Sequence, residues 1–548
     1  MSVYCATLLD VRGIQGYLFS SNYLKENVGA SNNVHEAMDG YIRYAFRQMR
    51  YKTNIRVLEK PLEFDDSLRI EDGSIDAEVV YAGGGNALIV FKNSEAARSF
   101  TRTYTREMIK KVPGLNLLVC HEEFEFGNNL YRSLKELLRM SFYKKMNRRI
   151  DNDVLGLGVT AKCQSSGLPA EYIINLSRGE SEKELKKLSD VAMKKYLSYK
   201  SGKQRLEKII KRNGYDIPDN FDKIGRTKGE NSYIGVIFID GNSMSRRKEE
   251  IGKNAKNDRE YIQRIRSFSE SIEDASIDVM KSVIKELIGC IEKKDSEWHF
   301  KDMFSGCTFR LYEDEANNVL MPFIPIVYGG DDMTFVCDGR IAVSLCKEFL
   351  VKLSSEKLSD GYPFYACGGV AIVKAHYPFF MAHLIAEQLC ENSKKFLEDE
   401  GLKDKMASAI DWQIIRGSRS KNIEDIRERE YSIISGNKEL IFRPFFVGNN
   451  KRAKEFENFV SMMNNFSEEN GWPRSKVKGL RNMLRDGKDS TRTYLNNYGI
   501  KLPDSKNGVY RNYIEEGFYA RKTPYFDAIE LKDMYFSIGG DNDDSLRD

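Results

Sequence analysis

At 548 residues the chain is too long for a single hydrophobic core and is expected to divide into about three or four domains. Its 85 Lys and Arg nearly balance 81 Asp and Glu, for a net charge of +4, so overall charge does not mark a nucleic-acid binder. No apolar run approaches the length of a membrane span, no signal peptide precedes Met1-Ser2-Val3, and nine Cys are scattered without regular spacing; a soluble cytoplasmic protein is expected.

In chain order, LLDVRGIQGYLFSSNYLKENVGAS (8–31) passes from a short strand into an Ile-Gln helix and a Gly-Ala-Ser turn. AEVVYAGGGNALIVF (77–91) reads as a β-hairpin closed by glycines. Two strongly basic runs follow, KKMNRR (144–149) and 183–212, both read as helical. They are open to two readings, a solvated helix face or contact with RNA or another polyanion.

The second half is richer in chemistry. In SYIGVIFIDGNSM (232–244), Val236 to Ile239 form a buried-strand pattern that stops at Asp240-Gly241-Asn242. A long helix is predicted over 258–292, with Ile262, Ile265, Phe268, Ile272 and Ile277 on its apolar face, and 293–321 reads as an insertion. The runs PFIPIV (322–327) and MTFVC (333–337) then flank Tyr328-Gly329-Gly330-Asp331-Asp332, a hairpin expected to close in a two-residue turn with both glycines at positive φ. A helix (340–357), a strand (364–373) and a helix (378–398) complete a β-α-β-β-α-β order, the ferredoxin-like unit. Gly-Gly-Asp-Asp alone is as readily a polar turn, and Asp240 alone a helix cap. Together they form a three-carboxylate cluster, because this topology makes the first strand and the hairpin neighbours. Adjacent acids repel unless a hard cation lies between them. The remainder (446–548) reads as helical, with apolar stripes at Phe456, Phe459, Val460 and Met463, a Pro-started helix over 472–487 ended by Gly487, and a disordered acidic tail at 541–548.

These motifs resemble the large subunit of type III CRISPR effector complexes, the CRISPR polymerase family. The resemblance rests on IFIDGNSM (237–244), YGGDDMTFV (328–336), CGGVAIVKAHYPF (367–379), AEQLCENSKK (386–395), AIDWQIIRGS (409–418) and ELIFRPF (439–445). Segment 8–31 is similar to the opening of that family's first, inactive palm, and Gly85 and Asn86 stand where the second hairpin has its acids. The resemblance implies an α+β fold with two ferredoxin-like palm domains: a degenerate palm at 1–150, a basic helical linker at 151–231, a palm bearing the acids at 232–445, and a helical domain at 446–548. It also implies that Asp240, Asp331 and Asp332, with the Gly241 carbonyl, hold two Mg²⁺ (or Mn²⁺) ions. Lys394 would contact a nucleoside triphosphate, with Asn242, Ser243, Gly329 and Gly330 around it. No zinc is expected, since Ser166 in CQSSG (163–167) replaces the second Cys of a knuckle. No His is followed by Asp, so the His-Asp nuclease of many such subunits is not expected.

The implied reaction is conversion of ATP to cyclic oligoadenylates in antiviral defence, with CRISPR RNA, effector subunits or another RNA as partners and no membrane. Two alternatives stay open: a non-catalytic nucleotide- or RNA-binding scaffold, and a stand-alone cyclic-dinucleotide synthase.

Overall fold

The computed structural model describes residues 3–59, 61–147, 158–178, 182–210, 214–224, 232–402, 407–417, 422–431, 440–448 and 454–539. The first sheet grows from β1 (Val3–Arg12), where Cys5, Ala6, Leu8 and Leu9 are buried. A strand apolar on both faces needs cover on both sides and partners on both edges. Helices α1 (Ile14–Phe19), α2 (Leu24–Met38) and α3 (Gly40–Met49) lead to the hairpin of β2 (Ala77–Gly83) and β3 (Asn86–Phe91). Helix α4 (Ser94–Lys111) and β4 (Asn116–Glu125) close the unit. The order is β2-β3-β1-β4 with every neighbouring pair antiparallel, the ferredoxin-like arrangement.

Helix α5 (Leu130–Asn147) follows, then the antiparallel hairpin β5 (Tyr172–Arg178) and β6 (Glu182–Leu188), and helix α6 (Asp190–Ile210). The expectation of a helical linker is corrected here, because 182–188 is a strand. Leu188 is buried against Cys163 and Ala192, and strand pairing overrides the helix preference of a Lys- and Glu-rich segment. Nor is the basic run uniformly solvated. Lys186 is 3% exposed and pairs with Glu26 at 2.6 Å, while the buried Lys195 donates to the Tyr17 carbonyl and to Ser20 Oγ. These two lysines tie the linker to α1 and α2 instead of presenting charge outward. The last two residues of the 144–149 run lie outside the described residues.

The second sheet repeats the first and extends it. After β7 (Tyr215–Asp216) come β8 (Tyr233–Gly241), α7 (Met244–Asn254) and α8 (Asp258–Gly289). The insertion forms a small antiparallel sheet of β9 (Ile291–Lys294), β10 (Glu297–Lys301) and β11 (Thr308–Arg310), followed by β12 (Val319–Leu320), which pairs with β7. Then come β13 (Phe323–Val327), β14 (Asp332–Asp338), α9 (Ala342–Ser355), β15 (Ala366–Lys374) and α10 (Phe379–Asp399). Strands β16 (Ser408–Ile414) and β17 (Phe445–Val447), with α11 (Ile423–Tyr431) between them, extend the order to β13-β14-β8-β15-β16-β17.

The repetition holds residue by residue. Asp10 faces Asn86 in register as Asp240 faces Asp332, and each hairpin has a bulge at the same step, between Val79 and Tyr81 and between Pro325 and Val327. The turns differ. Gly84 and Gly85 are both at positive φ, 57° and 83°, and close a two-residue turn. In the second hairpin Tyr328 to Asp331 intervene between the strands, and only Gly329 has positive φ, 85°. The tight turn expected there is therefore corrected to a longer loop.

The C-terminal part packs α12 (Phe456–Asn464), α13 (Arg474–Asp486), α14 (Lys488–Tyr498) and α15 (Tyr525–Lys532) against the far edge of the second sheet. Trp412 of β16 stacks on Phe445 and meets Phe456 and Phe459, and buried Arg443 joins Asp527 of α15 to the Trp412 carbonyl. The acidic tail at 541–548 lies outside the described residues. No helix among the described residues is long and apolar enough to cross a membrane.

The two palms are joined by a buried ionic knot. Glu78 of β2, wholly buried, accepts from Arg259 at 2.7 Å and Arg266 at 3.0 Å, both on α8. Removing one partner of such a knot leaves charges without compensation, so Glu78→Ala is expected to cost about 3–5 kcal/mol. The midpoint of urea unfolding should fall accordingly, whereas Lys281→Ala, at an exposed pair with Asp278, should leave it unchanged.

Candidate active site

Strand β8 is buried through Ile239 and then ends in Asp240 and Gly241. Its neighbours place Asp332 across from Asp240 on one side and Cys367 on the other. The Gly241 N–H donates to the Asp331 carbonyl at 3.0 Å, which fixes the loop of the acids to the end of β8. Gly241 itself is required by packing: a Cβ there would stand 2.8 Å from Met244 and 2.9 Å from Phe364.

Lys394 reaches this point from α10 and pairs with Asp240. The approach of α10 depends on Gly369 of β15, and that of α9 on Gly368. A Cβ on Gly369 would lie 2.0 Å from the Ala386 carbonyl of α10, and one on Gly368 would lie 2.4 Å from Cys346 Sγ of α9. Ser393 and Cys390, either side of the same contact, donate to the carbonyls of Gly368 and Cys367. The Cys-Gly-Gly run thus lets two helices lie close on opposite faces of β15 and carries Lys394 to Asp240.

The Asp332 carboxyl keeps solvent access but is closely surrounded by protein. That desolvation, then the charges of Asp240 and Asp331, pushes its pKa up to about 8; Lys394 opposes the rise. Among the described residues no three His, Cys, Asp or Glu side chains form a ready-made metal group. Of the three expected carboxylates, Asp240 and Asp332 are opposed in register, Asp331 also meets Gly241 through its backbone, and Lys394 pairs with Asp240. Three converging carboxylates with no cation would repel strongly. The oxygen donors nevertheless fit Mg²⁺, which characteristically takes one or two carboxylates and completes its shell with substrate phosphates and water.

The other expected residues divide. Ser243 is exposed and holds a left-handed conformation, φ 59°, at the start of α7, with no capping bond from its side chain. Asn242 donates its side-chain amide to the Ala407 carbonyl at 2.9 Å, which commits that donor to the fold. The Gly330 carbonyl accepts from Ser276 at 2.9 Å, and Gly329 supplies the positive φ of the loop.

Sequence reading missed three residues. Arg205 of α6 donates to the Tyr328 hydroxyl at 2.9 Å and covers its ring, so the linker braces the loop of the acids. In the first palm, Lys145 of α5 pairs with Asp10 at 2.6 Å, and Ser141 donates to the same carboxylate. Lys145 follows the fourth strand of its sheet as Lys394 follows β15, so both palms carry an Asp–Lys pair in matching places. The signal was present as Asp10 in LLDVRG, aligned with Asp240 in FIDGN, but needed the strand register to be read.

No family model matches the sequence, and no curated protein matches it. Similar solved structures include a Csm1-Csm4 cassette in complex with cA4, 12% identical, TM-score 0.46, with 97% of this chain and 70% of that chain covered. Csm1 from T. onnurineus is 11% identical, TM-score 0.45, over 97% of this chain and 69% of that one. A type III-B Cmr-beta structure in its apo state is 11% identical, TM-score 0.43, over 97% and 81%. Scores below one half at such identities support no functional argument by themselves.

Two stability predictions follow from this geometry. A carboxyl that keeps its proton to higher pH in the folded state than the unfolded one costs stability as pH rises, from about 4 until the penalty is complete above about 8. Asp332→Asn should therefore match the wild type near pH 4 and exceed it by roughly 1–2 kcal/mol at pH 8.5 in urea unfolding, allowing for solvent screening. Gly369→Ala should cost about 2–3 kcal/mol through overpacking, whereas Gly330→Ala, with nothing within 4 Å of the added carbon, should cost far less.

Proposed function

We propose that the second palm is a nucleotidyl-transfer site that uses ATP, with cyclic oligoadenylates as its products. The observation that carries this reading is the register pairing of Asp240 with Asp332 at the ends of adjacent strands, with Asp331 beside them, where the first palm has Asn86 and Gly85. The choice of ATP and of a cyclic product rests on the motif resemblance. Nucleotide ligands in the similar cassettes, among them AMPPNP and cA3, make adenine nucleotides the first to try.

In this reading Asp240 and Asp332, with Asp331, would hold Mg²⁺. The bound ions would supply charge neutralisation of the triphosphate and activation of an attacking hydroxyl. Lys394 screens Asp240 in the free protein and offers a cation to an incoming polyphosphate. Ser243 presents an unpaired hydroxyl at the start of α7, where a helix N-terminus favours negative charge. Gly329 and Gly330 keep side chains away from the loop, and Arg205 holds it through Tyr328.

Incubation of the purified protein with ATP and Mg²⁺, with and without added RNA, and mass spectrometry of the products tests the reading. Cyclic adenylates are expected from the wild type and none from Asp331→Ala/Asp332→Ala. Lys394→Ala should lower the rate roughly 100-fold, by analogy with loss of one charge-stabilising donor, and Lys394→Arg should recover part of it. Binding of ATP without turnover under every one of these conditions would overturn the catalytic reading in favour of a scaffold.

A further inference from the structure

Strand β8 runs from Asp240 at one end of the second sheet to Tyr233 at the other, about 23 Å away at ~3.3 Å per residue. At that far end the sheet meets α13 and α15, and a cavity of about 560 Å³ opens between them. This size lies in the range of small-molecule sites.

The lining is divided by chemistry. Trp472, Phe466 and Val477 give it an apolar floor, and all three are buried in the protein. Arg416, Arg474, Lys478, Arg481 and Lys532 face the same space. Only three acids oppose them. Glu530 is already engaged by Arg481 at 2.7 Å, Arg416 at 3.3 Å and the Tyr431 hydroxyl. Asp533 meets Arg474 at 3.3 Å where both side chains are mostly exposed, a weak pair. The third, Glu468, is exposed. Lys478 has no acidic partner among the described residues, and Arg481 Nε is buried without an acceptor. The protein therefore leaves positive charge on this cavity uncompensated. Guanidinium forks beside an ammonium suit phosphate oxygens.

We propose that this cavity binds a small polyphosphate-bearing ligand at a site separate from the three acids. Neither the ion pairs that dock α15 nor the carboxylates of the second palm account for Lys478, and Arg474 has an exposed, weak pair with Asp533.

The test uses full-length Asp240→Asn/Asp331→Ala/Asp332→Ala protein in EDTA, so that binding at the acids is suppressed. Equilibrium dialysis with ATP, AMP and inorganic pyrophosphate should give one bound equivalent of ATP. Pyrophosphate should bind as well, and AMP, with a single phosphate, at least tenfold more weakly than ATP. Adding Arg474→Glu and Lys478→Glu, both at exposed positions, should weaken ATP binding at least tenfold with the melting temperature unchanged. Arg474→Gln/Lys478→Gln should fall between. Absence of ATP binding by the acid-site variant, equal affinity for AMP and ATP, or unchanged affinity after charge reversal would each overturn the proposal. These outcomes are independent of whether the second palm turns over ATP.

Discussion

Two carboxylates at the ends of adjacent strands, opposed in register, cannot both carry charge at close quarters without a cation. Asp240 and Asp332 are placed in that relation by the backbone itself, since the pairing of β8 with β14 fixes it. The protein meets the constraint in two ways: Lys394 pairs with Asp240, and Asp332 is biased toward its protonated form. Both are arrangements that a metal-bound polyphosphate would replace. Gly369 of β15 belongs to the same constraint, because a side chain there would hold α10 off the sheet and keep Lys394 from Asp240.

The first palm shows what the same fold does when the conflict is absent. Its hairpin has Gly85 and Asn86, so Asp10 faces an uncharged side chain and is held by Lys145 and Ser141. The hairpin closes tightly there, while the second hairpin spends extra residues on a loop braced by Arg205. Strand order, bulge and Asp–Lys pair are duplicated, while the hairpin turn and its acids differ between the two copies. The Glu78 knot then ties α8, which packs beside the acids, to the first palm.

Much of this was legible in the sequence. The apolar run before Asp240, the apolar flanks of Gly-Gly-Asp-Asp and the helix between them suffice for the ferredoxin-like order, because strand ends and turns are marked by abrupt changes from buried to polar residues. The failures have physical causes. Segment 182–188 has lysines that suit a helix, but pairs as a strand because its partner supplies Tyr172, Ile173 and Ile174. The length of the second turn was not legible, since both hairpins share the bulge and the same Gly-Gly signal and differ only in where the strands stop pairing. Asn242 and the pair of Asp10 with Lys145 required knowledge of which atoms face one another across the sheet. The motifs AIDWQIIRGS and ELIFRPF, informative as resemblance, place Asp411 and Arg443 in the buried network that docks α15.

The central claim is that Asp240 and Asp332 together hold a divalent ion when a nucleotide is present. Anomalous diffraction from crystals grown with Mn²⁺ and a non-hydrolysable ATP analogue tests it most directly. A manganese peak bridging these two carboxylates and the phosphates, with Lys394 drawn away from Asp240 toward the triphosphate, is the predicted result. Nucleotide bound with no manganese at the acids, and the Lys394–Asp240 pair intact, would contradict it.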